Sequence, residues 1–208
     1  MLVIMSMQHI YLASQSPRRR ELLQQIGVKF ETLLLRNLPH RMVDVDETPF
    51  PDENPLAYVQ RVSCAKAEHA WAALLARNLP RLIVLAADTT VAVDGHIIGK
   101  PRDTEDAVNT LRRLAGRTHQ VYSAVALKFH ERIECQVSLT EVTFGELSDD
   151  TIRRYVASGE AHDKAGAYGI QGRAGAFVQR IQGSYSGVVG LPLFETTQIL
   201  NSFGYTTS

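Results

Sequence analysis

The sequence predicts an α/β protein, because apolar stretches of strand length alternate with helical patterns along the chain. Residues 10–13 form a short apolar run, a helix with clear start and stop signals follows, and residues 28–35 return to a strand pattern. Residues 82–87 are continuously apolar, which is typical of a strand buried on both faces of a sheet. These observations indicate a sheet with helices packed against it.

The other elements follow from periodicity and turn residues. Residues 55–76 have a helical pattern whose apolar face includes Val62 and Ala70. A hairpin turn is predicted at Asp94-Gly95, after a short strand. The remaining expected elements are helices at 104–115, 148–159 and 192–203, strands at 121–127, 133–144 and 176–181, and loops at 36–53 and 183–190.

The composition favours one large domain in the cytoplasm. A chain of 208 residues is long enough for a full core, so residues 1–208 are expected to form a single domain. Lysine and arginine total 22, as do aspartate and glutamate, so nucleic acid is not an expected partner. No stretch resembles a membrane span or a secretion signal, which predicts a cytoplasmic protein without a membrane partner. Cys64 and Cys135 lie far apart and are expected to be free thiols.

The first predicted helix carries positive charge at its positive end. Ser16 is the expected N-cap and Pro17 the first helical residue, so Arg18, Arg19 and Arg20 fall in the first turn and a half. Unpaired N–H groups and the helix dipole make this position favourable for anions and unfavourable for cations. The pattern predicts a polyphosphate site made of N–H groups, nearby serine hydroxyls and guanidinium groups. The alternative is a solvated basic helix end whose arginines pair with surface carboxylates.

Two acidic residues are candidate metal ligands. Asp88 directly follows the apolar run at 82–87, so we expect it at the carboxyl end of an interior strand, where α/β sheets place their ligand crevices. A carboxylate there could hold Mg²⁺ or take a proton from water, and the alternative is an aspartate that begins a turn. Glu47, in the polar segment, could supply a second carboxylate for Mg²⁺ or be a solvated acid.

Two lysines and a glutamine complete the candidates. Lys66 lies on the apolar face of the 55–76 helix, so its ammonium needs an anion or must extend to solvent. Lys100 could contact phosphate, although exposed lysines are common. Gln171 lies in the glycine-rich stretch 163–172, where an amide would suit a pyrimidine edge, and a β-turn segment is the alternative. Neither GxxxxGK(S/T) nor GxGxxG occurs, which argues against a P-loop NTPase and a dinucleotide-binding oxidoreductase.

Seven short segments along the chain carry a family resemblance. They are LASQSPRRRELL at 12–23, DET at 46–48, AKA at 65–67, ADT at 87–89, GKP at 99–101, DKAGAYGIQG at 163–172 and VGLP at 189–192. The segments resemble the Maf nucleotide pyrophosphatases and follow that family's order nearly end to end. The 163–172 segment is similar to that of the branch acting on dTTP and UTP.

The resemblance implies a fold, a cofactor and roles for the candidate residues. The fold would be of the Maf and inosine-triphosphate-pyrophosphatase type, a mixed sheet with flanking helices and two lobes around a deep cleft. A homodimer and a divalent metal are also implied, with Mg²⁺ expected and Mn²⁺ as the alternative. Asp88 would be the proton acceptor and, with Glu47, a metal ligand. Specificity would depend on Arg18, Thr89 and Gln171, and the phosphate region would be lined by Ser14, Arg19, Lys66 and Lys100.

The expected activity is hydrolysis of dTTP or UTP between the α- and β-phosphates, releasing the monophosphate and pyrophosphate in nucleotide-pool house-cleaning. Asp88 would deprotonate the attacking water, while the metal and the cationic side chains stabilise charge on the phosphates. One alternative is the same chemistry on CTP or a modified nucleotide. Another is a nucleotide-sensing binding protein, since members of this family have been linked to inhibition of septum formation.

Overall fold

A seven-stranded mixed sheet forms the centre of the fold. The computed structural model describes residues 9–34 and 45–205. The strands are β1 (Ile10–Leu12), β2 (Phe30–Thr32), β3 (Ile83–Val93), β4 (His96–Ile98), β5 (Thr118–Phe129), β6 (Arg132–Phe144) and β7 (Val178–Gln182). Their order is β2-β1-β3-β5-β6-β7, and β4 pairs with the last residues of β3. β1 runs parallel to β2 and β3, whereas the other pairs are antiparallel.

Helices flank this sheet, as the sequence predicts. In the described part of the chain they are α1 (Pro17–Gln25), α2 (Pro55–Ala76), α3 (Thr104–Leu114), α4 (Asp149–Ala157), α5 (Tyr185–Val189) and α6 (Leu193–Ser202), with 3₁₀ turns at Ala165–Ala167 and Arg173–Phe177. No helix in residues 9–34 and 45–205 is both long and apolar enough to cross a membrane.

Most predicted elements are confirmed, and three differ. Helix α2 has the predicted bounds, and the Asp94-Gly95 turn has both residues at positive φ, 53° and 77°. The expected 183–190 loop contains α5, which Ser184 caps by accepting a hydrogen bond from the Gly187 N–H. β2 covers only three residues of the predicted 28–35 strand. Residue 35 and residues 36–44 of the predicted loop lie outside the described residues.

Strand β3 is longer than expected, which corrects the placement of Asp88. The prediction put Asp88 at the carboxyl end of a strand that stops there, but β3 continues through it to Val93. β1 pairs with β3 only over residues 83–85, and β4 pairs with it only over 91–93. Among the described residues, β3 therefore has no strand partner on this edge from 86 to 90. Asp88 lies in the middle of that open edge, beyond the carboxyl end of β1.

The side chains of β3 alternate between cores on opposite faces of the sheet. Ala86 packs in a core with α2, whereas Ala87 packs in a core with α1 and α6. Because the alternation continues along the strand, Asp88 faces α2 and Thr89 faces the opposite side, toward α5. The open edge of β3 therefore presents polar groups to both faces of the sheet.

Candidate functional site

The open edge of β3 forms the floor of a cleft with a volume of about 920 Å³. The start of α1, the Glu47 loop, α2, the turn at Lys100, the 163–170 segment and the end of α5 form its walls. Eight of the nine predicted site residues line this cleft, namely Ser14, Arg18, Arg19, Glu47, Lys66, Asp88, Thr89 and Lys100. Residues from five separate parts of the chain are thus brought together.

Three charged side chains form a cluster on the α2 side of the cleft. Lys66 Nζ lies 2.7 Å from Asp88 Oδ1 and 2.8 Å from Glu47 Oε1. Lys66 and Asp88 are largely buried, whereas the Glu47 side chain is about half exposed, at 47%. Of the two sequence-based alternatives for Lys66, the structure shows an anionic partner. Burial raises the pKa of Glu47, but the hydrogen bond and charge of Lys66, with Lys100 and Arg19, outweigh it and lower that pKa overall.

Two residues of α2 hold the loop that carries Glu47, and the sequence analysis missed both. The Tyr58 hydroxyl donates to the Glu47 carbonyl oxygen at 2.8 Å. Arg61 donates to both carboxylate oxygens of Glu53 at 2.7 and 2.8 Å, and to the Thr48 carbonyl oxygen at 3.1 Å. These bonds fix the loop on α2 and place Glu47 beside Lys66. The signal in the sequence was the i,i+3 spacing of Tyr58 and Arg61, which places both on one side of α2.

Arg19 lies at the junction of three elements rather than on the surface. Its Nη1 donates to the Ala87 carbonyl oxygen at 2.7 Å, and its Nε donates to the Gly190 carbonyl oxygen at 2.9 Å. Nη1 also lies 3.4 Å from Ser14 Oγ. Burial lowers the pKa of Arg19, and the nearby charges of Asp88 and Glu47 oppose that shift. An arginine remains protonated under these conditions, so the cleft keeps a fixed positive charge beside its acidic cluster.

The predicted helix start is confirmed, and Arg18 projects toward the other wall of the cleft. Ser16 caps α1 by accepting a hydrogen bond from the Arg19 N–H, and the first turn contains no acidic residue. A Cβ atom on Gly169 would lie 3.2 Å from Arg18 Nη2 and 2.8 Å from Lys164 Cε. Glycine at this position therefore lets two cations lie close to the backbone of the 163–172 segment.

Gln171 is the one predicted site residue that the structure does not bring to the cleft. Gly169 and Ile170 line the wall, but Gln171 is exposed and lies outside the lining residues. Among the described residues its side chain makes no hydrogen bond. Its role toward a base stays a prediction.

The donor set suits a hard divalent cation that is shared with a bound phosphate. Among the described residues, Asp88 Oδ2 and Glu47 Oε2 accept no hydrogen bond, so each is free to face the cleft. Mg²⁺ is commonly held by one or two carboxylates together with waters and phosphate oxygens. Residues 9–34 and 45–205 contain no cluster of three or more His, Cys, Asp or Glu side chains that could hold a metal. Two carboxylates therefore fit a cation whose other ligands come from phosphate and water.

The match to known proteins covers nearly the whole chain. The family model described as Maf-like protein matches residues 9–203. This chain belongs to the Maf family. Curated relatives of this Maf protein carry the name dTTP/UTP pyrophosphatase. The relative from Nitrosomonas europaea is 55% identical, with 94% of each chain covered. The relative from Aromatoleum aromaticum is 56% identical, with 94% of this chain and 96% of the relative covered.

A solved structure of the Staphylococcus aureus Ham1 protein also matches this Maf protein, with a TM-score of 0.44 and 20% identity, over 68% of this chain and 72% of that chain. The family resemblance predicted from the seven sequence segments is confirmed by the family match and by the curated relatives.

Proposed function

We propose that this Maf protein is a nucleoside triphosphate pyrophosphatase that hydrolyses dTTP and UTP to the monophosphate and pyrophosphate. Relatives at 48 to 56% identity carry that activity in their names. The observation that carries the proposal is the cluster of Asp88, Lys66 and Glu47 on the open edge of β3, facing the arginine-rich start of α1. A cleft with carboxylates on one wall and fixed cations on the other fits a metal-bound polyphosphate.

The reaction is a displacement at the α-phosphorus. The oxygen of a water forms the new P–O bond, the bond to the bridging oxygen breaks, and that electron pair leaves with pyrophosphate. Asp88 accepts the proton that the attacking water loses. Lys66 holds one oxygen of Asp88, which leaves the other to face the water. Positioning and electrostatic stabilisation therefore supply most of the rate enhancement.

The phosphate chain lies, in this proposal, along the start of α1. Its oxygens would be bound by Arg18, by Nη2 of Arg19 and by the helix N–H groups. Ser14 and Lys100 would lie beside them. Glu47 and Asp88 would hold a divalent cation, with Mg²⁺ proposed and Mn²⁺ as the alternative. When bound, the cation would neutralise charge on the phosphates and on the leaving pyrophosphate.

Base recognition is assigned to Arg18, Thr89 and Gln171. Arg18 and Thr89 line the cleft. Gln171 would have to turn toward the cleft when a nucleotide binds. Replacing it with glutamate should then change the preference between UTP and CTP, because a carboxylate only accepts hydrogen bonds and cytosine offers a donor amine.

The localisation, the oligomeric state and the partners are also proposals. We place the enzyme in the cytoplasm, acting on the free nucleotide pool as a homodimer, with no nucleic acid or membrane partner. The equal numbers of basic and acidic residues support the absence of a nucleic-acid partner. Light scattering on the purified protein would measure the oligomeric state.

The deciding experiment is pyrophosphate release across UTP, dTTP, CTP, ATP, GTP and methylated nucleotides, with and without Mg²⁺. We expect metal-dependent turnover with the highest kcat/KM for UTP and dTTP. Preference for CTP or a methylated nucleotide would instead support the same chemistry on another base. Tight nucleotide binding without pyrophosphate release would contradict an enzymatic role and support a nucleotide sensor.

A further inference from the structure

Ser123 is a buried hydroxyl that touches the cleft only through Thr89. It lies on β5 directly opposite Thr89 in the antiparallel register, and it is 1% exposed. Its Oγ lies 2.6 Å from the Gly187 carbonyl oxygen and 2.9 Å from Thr89 Oγ1. Thr89 Oγ1 also lies 3.4 Å from the Gly190 carbonyl oxygen. The sequence contained no signal for this contact, because the partners of Ser123 lie 34 and 64 residues away along the chain.

The positions of the hydroxyl protons follow from these distances. A carbonyl oxygen can only accept, so the short contact to Gly187 uses the single proton of Ser123. The contact between Ser123 and Thr89 then needs the proton of Thr89. The longer contact to Gly190 would use the same proton. In either arrangement the Thr89 proton points into the protein.

Thr89 therefore presents only lone pairs to the cleft. Phosphate oxygens are acceptors and gain nothing from such a group, so Thr89 is not suited to bind the phosphate chain. A ligand atom that contacts Thr89 Oγ1 must donate a hydrogen bond. On the pairing edge of uracil and thymine, both carbonyl oxygens accept and only N3–H donates. Cytosine has an acceptor at N3, and its donor on this edge is the N4 amine, so an acceptor placed opposite N3 does not match cytosine.

We propose that Ser123 is a specificity-determining residue, which commits the Thr89 hydroxyl to an acceptor role and thereby selects the N3–H group of uracil and thymine. Ser123 acts through Thr89 and does not touch the base. This inference rests on the proposed dTTP and UTP activity and assigns the origin of that preference. A mismatched acceptor at this point leaves two lone pairs facing each other, which is costly in a desolvated site.

The test compares kcat/KM for UTP and CTP in the unmodified protein and in Ser123→Ala. Without Ser123, the Thr89 hydroxyl has only the distant Gly190 acceptor and can rotate to donate toward cytosine N3. We expect the UTP-to-CTP ratio to fall about tenfold or more, mainly through better use of CTP. The matched control is Ser138→Ala. Ser138 faces Ser123 in the β5–β6 register, is also buried, and makes no hydrogen bond to Thr89.

A double-mutant comparison separates selection through Thr89 from general damage to the fold. In a Thr89→Val protein, adding Ser123→Ala should change the ratio no further, because the group that Ser123 orients is gone. If Ser123→Ala does not fold, Ser123→Cys takes its place. The cysteine side chain is of similar size and makes a weaker hydrogen bond, so it should move the UTP-to-CTP ratio in the same direction.

Three results would overturn the inference. A ratio that stays the same in Ser123→Ala and Ser123→Cys would show that Ser123 does not control selection. Equal losses for UTP and CTP would show that Thr89 contacts a donor common to both, such as water or the ribose. Absence of a UTP preference in the unmodified protein would refute the proposed function and this inference together, whereas the first two results leave the proposed function intact.

Discussion

At the scale of single residues, the site depends on how three charged groups share their hydrogen bonds. Lys66 contacts one oxygen of Asp88 and one of Glu47, and among the described residues the second oxygen of each carboxylate accepts no hydrogen bond. Removing one carboxylate leaves the lysine paired with the other. A substitution at Glu47 should therefore test metal binding, whereas one at Asp88 also removes the proton acceptor, and neither leaves an unpaired buried charge.

Asp88→Asn should abolish most turnover and leave the fold intact. The amide keeps the size of the side chain but cannot accept the proton of water, and loss of a general base typically lowers the rate by about 10²–10⁴. Nucleotide binding should be largely retained. The measurement is kcat by pyrophosphate release beside nucleotide binding by calorimetry, with Asp150→Asn, an exposed residue of α4, as the control. Activity within a few-fold of the unmodified protein would remove Asp88 from the mechanism.

Glu47→Gln should raise the Mg²⁺ concentration that gives half the maximal rate. The neutral amide is a weaker ligand for a hard cation, and the phosphates would still supply the remaining ligands. Direct binding of Mn²⁺, measured by electron paramagnetic resonance with a non-hydrolysable nucleotide, should weaken in parallel. Glu131→Gln, in the exposed β5–β6 turn, is the matched control. An unchanged metal titration would show that Glu47 is a solvated loop residue and does not bind the metal.

At the scale of elements, the three arginines at the positive end of α1 have different surroundings. Arg19 is tied to carbonyl oxygens of β3 and of the residue after α5, so it joins three elements. Arg18 faces the cleft, and Arg20 lies outside the lining residues. Their position at the start of a helix predicts that loss of either Arg18 or Arg19 stabilises the ligand-free protein slightly. The contacts of Arg19 change that expectation.

Arg18→Ala and Arg19→Ala should both reduce turnover but should change stability in opposite directions. Removing Arg18 relieves an unfavourable helix-end charge of about 0.3–1 kcal/mol. Removing Arg19 leaves the Ala87 carbonyl oxygen without its side-chain donor and the Gly190 carbonyl oxygen with only the 3.4 Å contact to Thr89, which costs about 1–3 kcal/mol. Thermal melts and kcat/KM on the same samples give both quantities.

Arg20→Ala is the internal control for the helix, because it removes the same charge from α1 outside the cleft. It should stabilise slightly and leave turnover unchanged. If Arg18→Ala spares activity as well, Arg18 does not bind the polyphosphate.

At the scale of the whole molecule, one wall of the cleft is hydrogen-bonded to a buried histidine. His119 of β5 is fully buried, and its Nε2 lies 2.8 Å from the hydroxyl of Tyr168, which lines the cleft. Among the described residues, His119 Nδ1 has no hydrogen-bond partner. Burial lowers the pKa of His119 from 6.5 to about 4. The folded protein therefore keeps this imidazole neutral at pH values where the unfolded chain protonates it.

This difference predicts a loss of stability on mild acidification. Because the folded pKa is the lower one, the stabilisation is complete above pH 6.5 and is lost as the pH falls from 6.5 toward 4. The contribution lost between pH 7.5 and pH 5 is about 2 kcal/mol. Glutamine at position 119 cannot titrate. From pH 7.5 to pH 5, the free energy of unfolding of His119→Gln should therefore decrease less than that of the unmodified protein, by about the same amount. Urea unfolding at several pH values measures it.

His162→Gln is the matched control, because it replaces an exposed histidine and leaves the buried His119 in place. The two variants should differ in how stability changes with pH. Identical pH profiles for His119→Gln and the unmodified protein would show that His119 is not held neutral by the fold.

Most helices and strands were predictable from local rules. Capping by Ser16, the Asp94-Gly95 turn and the periodicity of α2 depend on residues close in sequence, so each was correct before any tertiary contact was known. The family resemblance rested on short segments and was confirmed over residues 9–203. Eight of the nine candidate site residues taken from these segments line one cleft, whereas Gln171 of the 163–172 segment does not.

Contacts between distant parts of the chain were not predictable in this way. The middle of β3 is open because β1 ends before it and β4 begins beyond it, which depends on pairing partners far apart in sequence. The choice between solvent and a carboxylate for Lys66 depended on a loop nineteen residues away, and the bonds of Arg19 depended on residues near 87 and 190. The acceptor role inferred for Thr89 follows from a partner on another strand. Local sequence sets backbone preference and chemical identity, whereas burial, pairing and proton direction depend on which distant groups the fold brings within hydrogen-bonding distance.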